Sequence, residues 1–299
     1  MAIKGMTLLI PIYNEQDAIE NLFDQLKVFL VDAEHVVEVI MINDGSTDQT
    51  LEKIKYNLKR INRKIRIINN PVNLGYGSSL KRGVIASKTE YIAIIDADLT
   101  YDVNAVANLY EDCIIEHLDM AVASRMGKHF EGNFGKKILR KILRKIVEYM
   151  TGQKIPDINS GLRIFKRNLA INYLPLLSNR FSFTTSLTLV TMLQGGIVKY
   201  VPTSYQRRRG STKVKLFKDS MRTLGQILAV SFYFNPLRVI YPILFIMTLG
   251  LLASLIASIL NLLSIYTSLF LLALIICLLI LGFMSQMLSL DNQISKQAK

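Results

Sequence analysis

Cysteine is scarce, with only Cys113 and Cys277. One falls in an amphipathic helical window and the other in an uncharged apolar run, so they cannot pair and they make no metal-ligand spacing. This favours a reducing, cytosolic location. Histidine is nearly as rare, with His35, His117 and His129 and no HExxH, which argues against a zinc hydrolase. No stretch matches the dinucleotide fingerprint GxGxxG or the Walker phosphate loop, so dehydrogenase and P-loop NTPase readings lose support. The largest absence is of charge. No Asp, Glu, Lys, Arg or His occurs from Val239 to Leu290, which excludes a wholly soluble protein and leaves room for two membrane spans.

What is present is a chain of 299 residues, 51% of them hydrophobic, with a net charge of +13 that is unevenly spread. Residues 1–124 carry −6, residues 125–167 carry +9 and residues 199–222 carry +7. Basic blocks can mark nucleic-acid binding. Two such blocks ahead of an uncharged hairpin fit anionic headgroups or a phosphorylated lipid better, and no nucleic-acid partner is expected. The opening MAIKGMTLLIPIYNE has an apolar core of only a few residues and no small-residue cleavage site, so it reads as a strand of the fold and not as a signal peptide.

From Met6 to Ala123, short apolar runs such as Thr7 to Ile12, Val36 to Ile42 and Tyr91 to Ile95 alternate with amphipathic helical windows. That pattern predicts a parallel sheet covered on both faces, with the ligand site beyond the carboxyl ends of the strands. The residues there are Tyr13 to Glu15, Asn43 to Gly45, Asn69 to Asn73, and Asp96 to Asp98. Residues 135–150 place Ile138, Leu139, Ile142, Leu143, Ile146 and Val147 on one side and Lys136, Lys137, Arg140, Lys141, Arg144 and Lys145 on the other. This is the pattern of a basic helix lying in a membrane interface. A second basic region, Arg207 to Arg222, runs through Leu224 to Phe234 toward spans at about 239–263 and 266–290, with the turn within Asn261 to Ser268. Lys and Arg flank the outer ends of the spans and not the turn, so the positive-inside rule puts both termini, and the domain before the spans, on the cytoplasmic face.

In IIDADL, Asp96 and Asp98 directly follow an uncharged run. Two carboxylates so close repel unless a cation or a shared proton lies between them, and hard oxygen ligands suit magnesium or manganese completed by substrate phosphates. In INDGSTD, Asp44 can accept hydrogen bonds from the edge of a base, while Ser46 or Thr47 would cap the next helix. NLGYGSSLKRG sets Gly75 and Gly77 ahead of a helix with Lys81 and Arg82, a phosphate-facing helix start.

The order IPIYNE, INDGSTD, NLGYGSSLKRG, DADL, DINSGLRIFKR and RRRGSTK ahead of an apolar hairpin resembles glycosyltransferase family 2. Within it, the resemblance is to polyprenyl-phosphate glycosyltransferases of the dolichol-phosphate mannose synthase type, and it covers almost the whole chain. It implies an α/β fold with a GT-A (Rossmann-like) nucleotide-sugar domain over 1–211, including the helix at 135–150. A juxtamembrane interface helix over 212–236 and a two-helix transmembrane hairpin with a short tail over 237–299 would follow. The resemblance also implies Pro11, Tyr13, Glu15 and Asp44 around the nucleotide base, and Asp96 with Asp98 at ribose, diphosphate and a Mg2+ or Mn2+ ion, with Lys81 as a helper. In the acceptor half it implies roles for Arg125, for Asp157, Ser160 and Arg163 of DINSGLR, and for Arg207, Arg209 and Lys213. There are departures: Thr100, Tyr101 and Asp102 follow DADL where many members have Gln and Pro, and Ser186 stands where many have an acidic residue, so Ser186 is given no catalytic role. The absence of tryptophan removes the QxxRW signature of processive polysaccharide synthases.

The reaction so implied transfers a hexose from a nucleotide-diphosphate sugar, a UDP-sugar favoured over GDP-mannose, to a polyprenyl phosphate. A phosphate monoester has a second pKa of about 6, so it attacks the anomeric carbon as a dianion without a strong general base, and direct attack inverts the configuration. Arg125, Arg163, Arg207, Arg209 and Lys213 would offset the approach of one anion to another, with Ser160 on the lipid phosphate. Asp157 would position the acceptor or tune these arginines. The alternatives are a transferase with a saccharide or protein acceptor, and a catalytically idle membrane-anchored nucleotide-sugar-binding module. A homo-oligomer is compatible with each.

Overall fold

The computed structural model describes residues 2–61, 63–126, 134–206, 216–260 and 264–297, which fall into two compact units, Met1–Gln226 and Ile227–Lys299. The first unit interleaves β1 (Ile3–Ile12), α1 (Ile19–Asp32), β2 (Val36–Asn43), α2 (Thr50–Leu58), β3 (Ile65–Asn69), α3 (Tyr76–Ala86) and β4 (Thr89–Ile94). It continues with α4 (Ala105–Ile115), β5 (Met120–Met126), α5 (Phe134–Thr151), β6 (Arg163–Lys166), α6 (Arg167–Asn172), α7 (Phe183–Leu193) and β7 (Val198–Ser204). The strands form one sheet in the order β3-β2-β1-β4-β6-β5-β7.

Strands β1 to β4 are parallel, as their alternation with helices predicts, even with Glu38 inside β2 and Arg66 inside β3. The sheet as a whole is mixed, because β6 runs antiparallel between β4 and β5, with Arg163 opposite both Ile94 and Val122. The four-residue RIFK run has basic ends and too little length for a periodicity that would announce a strand. Its reversed direction has a functional consequence: the DINSGL residues that precede it arrive at the edge where β4 and β5 end. Pro11 sits where β1 has outrun its last β4 partner, the Leu9–Ile94 pair, so its missing N–H costs no ladder bond.

Strand alternation divides the core. Leu8, Ile10, Val39, Met41, Leu162 and Ile164 pack with Phe23 and Leu26 of α1, Ile54 of α2 and Leu109 of α4, each contributing about 1.5 to 3 kcal/mol by burial. Leu9 and Ile42 face the other way, toward α3. Arg163 lies between Leu162 and Ile164 and therefore shares that second face, under α7.

Helix α5 divides its apolar stripe. Leu143, Val147 and Met150 are buried, while Ile138 and Ile142 are exposed beside Lys141 and Lys145. Arg140 and Arg144 are half-buried, so the basic side is not uniformly outward. Helix α8 (Leu216–Phe234) precedes α9 (Pro236–Ile259) and α10 (Ile265–Gln297). Asn235 Oδ1 accepts from the Arg238 N–H at 3.2 Å, with Pro236 in the first turn, a standard start for a helix. The apolar stretches Pro236–Ile259 and Ile265–Asp291 have mean hydropathies of 2.4 and 2.8, long enough to cross a bilayer. The first begins earlier than expected and the second helix continues beyond 290. The end of the expected first span, 261–263, lies outside the described residues. Within this unit Ile240, Leu244 and Ile275 pack together, and Ser254 and Ser268 share a 2.8 Å hydrogen bond.

Candidate active site

The loops at the carboxyl ends of β1 and β2 are stitched together by short polar side chains. The Asn14 N–H donates to Ser46 Oγ at 3.0 Å, the Thr47 N–H to Asn14 Oδ1 at 2.8 Å, and the Glu15 N–H to Thr50 Oγ1 at 3.0 Å. Ser46 and Thr47 therefore do not cap α2, as expected from sequence; they brace the IYNE loop, where Asn14 takes a φ of +50°. Pro11 is buried, and Tyr13 and Glu15 are half-buried beside this seam.

Asp44, only 3% exposed, anchors the third loop. Its Oδ1 accepts from the Leu74 N–H at 2.9 Å and Asn70 Nδ2 at 2.8 Å, and its Oδ2 from the Gly75 N–H at 2.9 Å. The base contact expected of Asp44 would have to share these oxygens with three protein donors. Gly75 takes a φ of +100° ahead of α3, a conformation that glycine adopts without strain. The cations of α3 are engaged locally: Lys81 Nζ donates to Asn179 Oδ1 at 2.7 Å and Arg82 to Asn70 Oδ1 at 2.6 Å. Burial lowers the Lys81 pKa. Ser186, where an acid is common, accepts from the Ser178 N–H at 3.0 Å and donates to the Phe183 carbonyl at 2.9 Å, so its hydroxyl ties the 178–180 turn to the start of α7.

Asp96 and Asp98 emerge from β4 as expected. Asp98 is 7% exposed, and its Oδ1 accepts from Thr100 Oγ1 at 2.7 Å and from the Thr100 N–H at 3.2 Å. Asp96 Oδ1 accepts from Tyr76 Oη at 3.0 Å. Burial and the Asp96 charge push the Tyr76 pKa well above its ordinary value. A β-carbon on Gly161 would overlap the Asp96 carboxylate, so any larger residue where DINSGLR meets DADL would have to displace that carboxylate. No cluster of three or more His, Cys, Asp or Glu able to hold a metal occurs among the described residues. Two carboxylates nonetheless fit a hard divalent ion that takes its remaining oxygens from phosphate and water.

Across the same edge, Arg125 at the end of β5 forks onto Asp157, with Nε to Oδ2 at 2.6 Å and NH2 to Oδ1 at 2.7 Å. The Arg125 and Asn159 N–H groups, each at 3.2 Å, also donate to Asp157. Burial alone would raise the Asp157 pKa, but the hydrogen bonds and charge of Arg125 hold it below the ordinary carboxylate value. Burial likewise opposes the charge on Arg125, and Asp157 reverses the effect. The Arg125 guanidinium lies 5.4 Å from the Tyr205 ring centroid. Arg140 of α5 feels both members of the pair, its pKa lowered by burial and by Arg125. Ser160 and Tyr101 are joined at 2.9 Å, and Ser160 Oγ donates to the Leu162 carbonyl at 3.2 Å.

Arg163 is fully enclosed. Its guanidinium donates to the Thr184 carbonyl at 2.7 Å, Thr188 Oγ1 at 2.9 Å and the Ser160 carbonyl at 2.6 Å, while Nε has no partner. The strand pleat aims it under α7, so it is an enclosed charge and not the surface ligand expected from sequence. Burial lowers its pKa. The edge thus gathers Pro11, Tyr13, Glu15, Asp44, Asp96, Asp98, Arg125, Asp157 and Ser160, with Lys81 on α3. Arg207, Arg209 and Lys213 lie outside the described residues. Sequence reasoning missed Tyr76 and Tyr205, placed Asn70 at the carboxyl edge only within the Asn69 to Asn73 loop, and treated Thr100 and Tyr101 only as departures. The available signal was their place directly after strand ends or at a helix start.

Residues 7–174 match the model of glycosyl transferase family 2. The chain is 24% identical over 228 residues to a dodecaprenyl-phosphate galacturonate synthase of Rhizobium johnstonii, covering 76% of this chain and 67% of that protein. It is 31% identical to an uncharacterised glycosyltransferase of Synechocystis over 61% of this chain and 56% of the relative, so the match spans little more than half of that relative's length. A dolichyl-phosphate beta-glucosyltransferase of Dictyostelium discoideum is 25% identical over 76% of this chain and 74% of its own. Among solved structures, glucosyl-3-phosphoglycerate synthase of Mycobacterium tuberculosis, with Mn2+, UDP and glucosyl-3-phosphoglycerate, superposes with a TM-score of 0.58 at 19% identity, over 76% of this chain and 80% of that one. That likeness gives the GT-A fold, and the sequence match over more than half of the residues gives the family: the chain belongs to glycosyl transferase family 2.

Proposed function

We propose that this glycosyltransferase moves a hexose from a uridine-diphosphate sugar to a polyprenyl phosphate, with inversion, at the cytoplasmic face of a membrane spanned by α9 and α10. The observation that carries the reading is the contact of Asp96 with Gly161, which sets DADL against DINSGLR at one sheet edge. The relatives named for dodecaprenyl and dolichyl phosphate support the lipid. The solved neighbour with UDP and Mn2+ supports the donor and cation class.

Asp96 and Asp98 would hold a Mg2+ or Mn2+ ion, which would supply charge to stabilise the leaving diphosphate. Thr100 holds Asp98 in place. Pro11, Tyr13 and Glu15 line the base end, and Lys81 at α3 faces the diphosphate. Asp157 fixes the plane of Arg125, which receives the acceptor phosphate, and the buried Arg163 adds a fixed positive charge beneath it; the enclosed Ser160, whose hydroxyl is held by Tyr101 and the Leu162 carbonyl, shapes this turn and is not the phosphate ligand expected from sequence. A carboxylate forked by arginine with a depressed pKa is a poor proton acceptor. That suits a phosphate acceptor, whose second pKa of about 6 leaves it largely unprotonated near neutrality.

The test is a screen of labelled UDP- and GDP-sugars with polyprenyl phosphate and Mn2+. A lipid-linked product cleaved by mild acid is expected from a UDP-sugar. Label confined to an acid-stable glycoside would move the acceptor to a saccharide or protein, and no product from any donor would leave a nucleotide-sugar-binding module.

A further inference from the structure

We propose that Tyr76 is the positioning residue that sets the orientation of the Asp96 carboxylate and, through it, the affinity of the donor site for a divalent cation. The inference rests on the reading of Asp96 and Asp98 as cation ligands. An aspartate has a short side chain whose terminal torsion is broad, so a carboxylate at the end of a strand keeps one orientation only when neighbours hold it. Asp98 is held from its own loop by Thr100. Asp96 is held from outside its loop: Tyr76 Oη donates to Oδ1 at 3.0 Å, and the backbone of Gly161 closes on Oδ2 from the other side.

Tyr76 is itself fixed. It is the first residue of α3, the preceding Gly75 N–H is bound to Asp44 Oδ2 at 2.9 Å, and its ring stacks on Phe181 with centroids 5.8 Å apart and planes 22° apart. The Asp44 anchor, the α3 start and the 178–181 turn therefore converge on one hydroxyl that ends on Asp96. Packing alone would be satisfied by the ring. The hydroxyl acts on the carboxylate, as outer partners do for metal ligands, where their loss typically weakens metal binding about 10- to 100-fold.

The full-length protein in detergent, with UDP present, is titrated with Mn2+ and the unbound ion is read by electron paramagnetic resonance for the parent, Tyr76→Phe, Phe181→Leu and Asp98→Ala. Tyr76→Phe keeps the ring, so its thermal midpoint should stay near that of the parent while its Mn2+ dissociation constant rises about 10-fold. In transfer assays the Mn2+ concentration for half-maximal rate should rise similarly, with most of kcat recovered at saturating Mn2+. Phe181→Leu should weaken binding less than Tyr76→Phe. Unchanged Mn2+ affinity in Tyr76→Phe, alongside lost binding in Asp98→Ala, overturns the inference and leaves the carboxylate reading standing. An effect of Phe181→Leu as large as that of Tyr76→Phe also overturns it, because ring packing and not the hydroxyl would then set the site. A parent that binds Mn2+ no better than Asp98→Ala removes the carboxylate reading and the inference together.

Discussion

At the β1–β4 end of the sheet edge, the donors to Asp44, Asp96 and Asp98 among the described residues are uncharged: two backbone N–H groups and Asn70, the Tyr76 hydroxyl, and Thr100. At the β5–β6 end, Asp157 is gripped by a guanidinium. A neutral donor orients a carboxylate and leaves its charge in place to attract a cation, whereas a forked arginine orients and cancels it. The same residue type is thus prepared for opposite tasks a few residues beyond adjacent strands. Regional charge totals capture this only in part. The −6 of the first 124 residues includes Asp44, Asp96 and Asp98, and the positive total that follows conceals the buried Arg125–Asp157 pair and the enclosed Arg163.

The sharpest way to break this comparison is to remove the guanidinium. Arg125→Met strands the carboxylate of Asp157, whose side chain is 2% exposed, and should cost about 3 to 5 kcal/mol of stability, read by urea unfolding; adding Asp157→Asn should restore much of the loss. The pair also has a pH signature. Because the folded pKa of Asp157 lies below its unfolded value, its contribution is complete above a pH of about 4 and disappears as pH falls through the folded value. The parent should therefore lose more stability on acidification than Asp157→Asn, and equal losses would mean that the ion pair contributes nothing.

On the opposite side, Asp98→Ala should reduce transfer by about a hundredfold or more. Normal turnover at saturating UDP-sugar would dissolve the contrast between the two ends. A smaller effect is expected away from both. Exchanging exposed Lys141 and Lys145 for Gln, in a fragment comprising residues 1–226, should weaken flotation with anionic vesicles about thirtyfold, at roughly 1 kcal/mol per lysine. Unchanged flotation would confine the basic face of α5 to solvent. The mildest test is Thr100→Val, which removes the hydroxyl on Asp98 and keeps the side-chain shape. About a fivefold loss of apparent Mn2+ affinity is expected, near 1 kcal/mol for one hydrogen bond.

The donor end was legible because its signals are local. An uncharged run predicts a buried strand, and the polar residues directly after it must lie at the carboxyl edge, which is where Tyr13, Asp44, Asp96 and Asp98 are found. The acceptor end was less legible because its geometry depends on direction and pleat. Nothing in RIFK announces an antiparallel strand, yet that reversal brings Asp157 to Arg125. The alternation of Leu162, Arg163 and Ile164 turns an arginine that reads as a phosphate ligand into an enclosed charge. Tyr76 and Ser186 were hidden for another reason: they hold neighbours that are distant in sequence or unremarkable in type, and only the folded chain shows which atom each hydroxyl reaches.

The Asp96–Gly161 contact also limits how this enzyme can change. Position 161 is closed to every larger residue unless Asp96 swings aside, so evolution or design cannot change DINSGLR there without disturbing DADL. Variants selected at that position for a new acceptor should come with an altered metal requirement, and reverting one trait should revert the other.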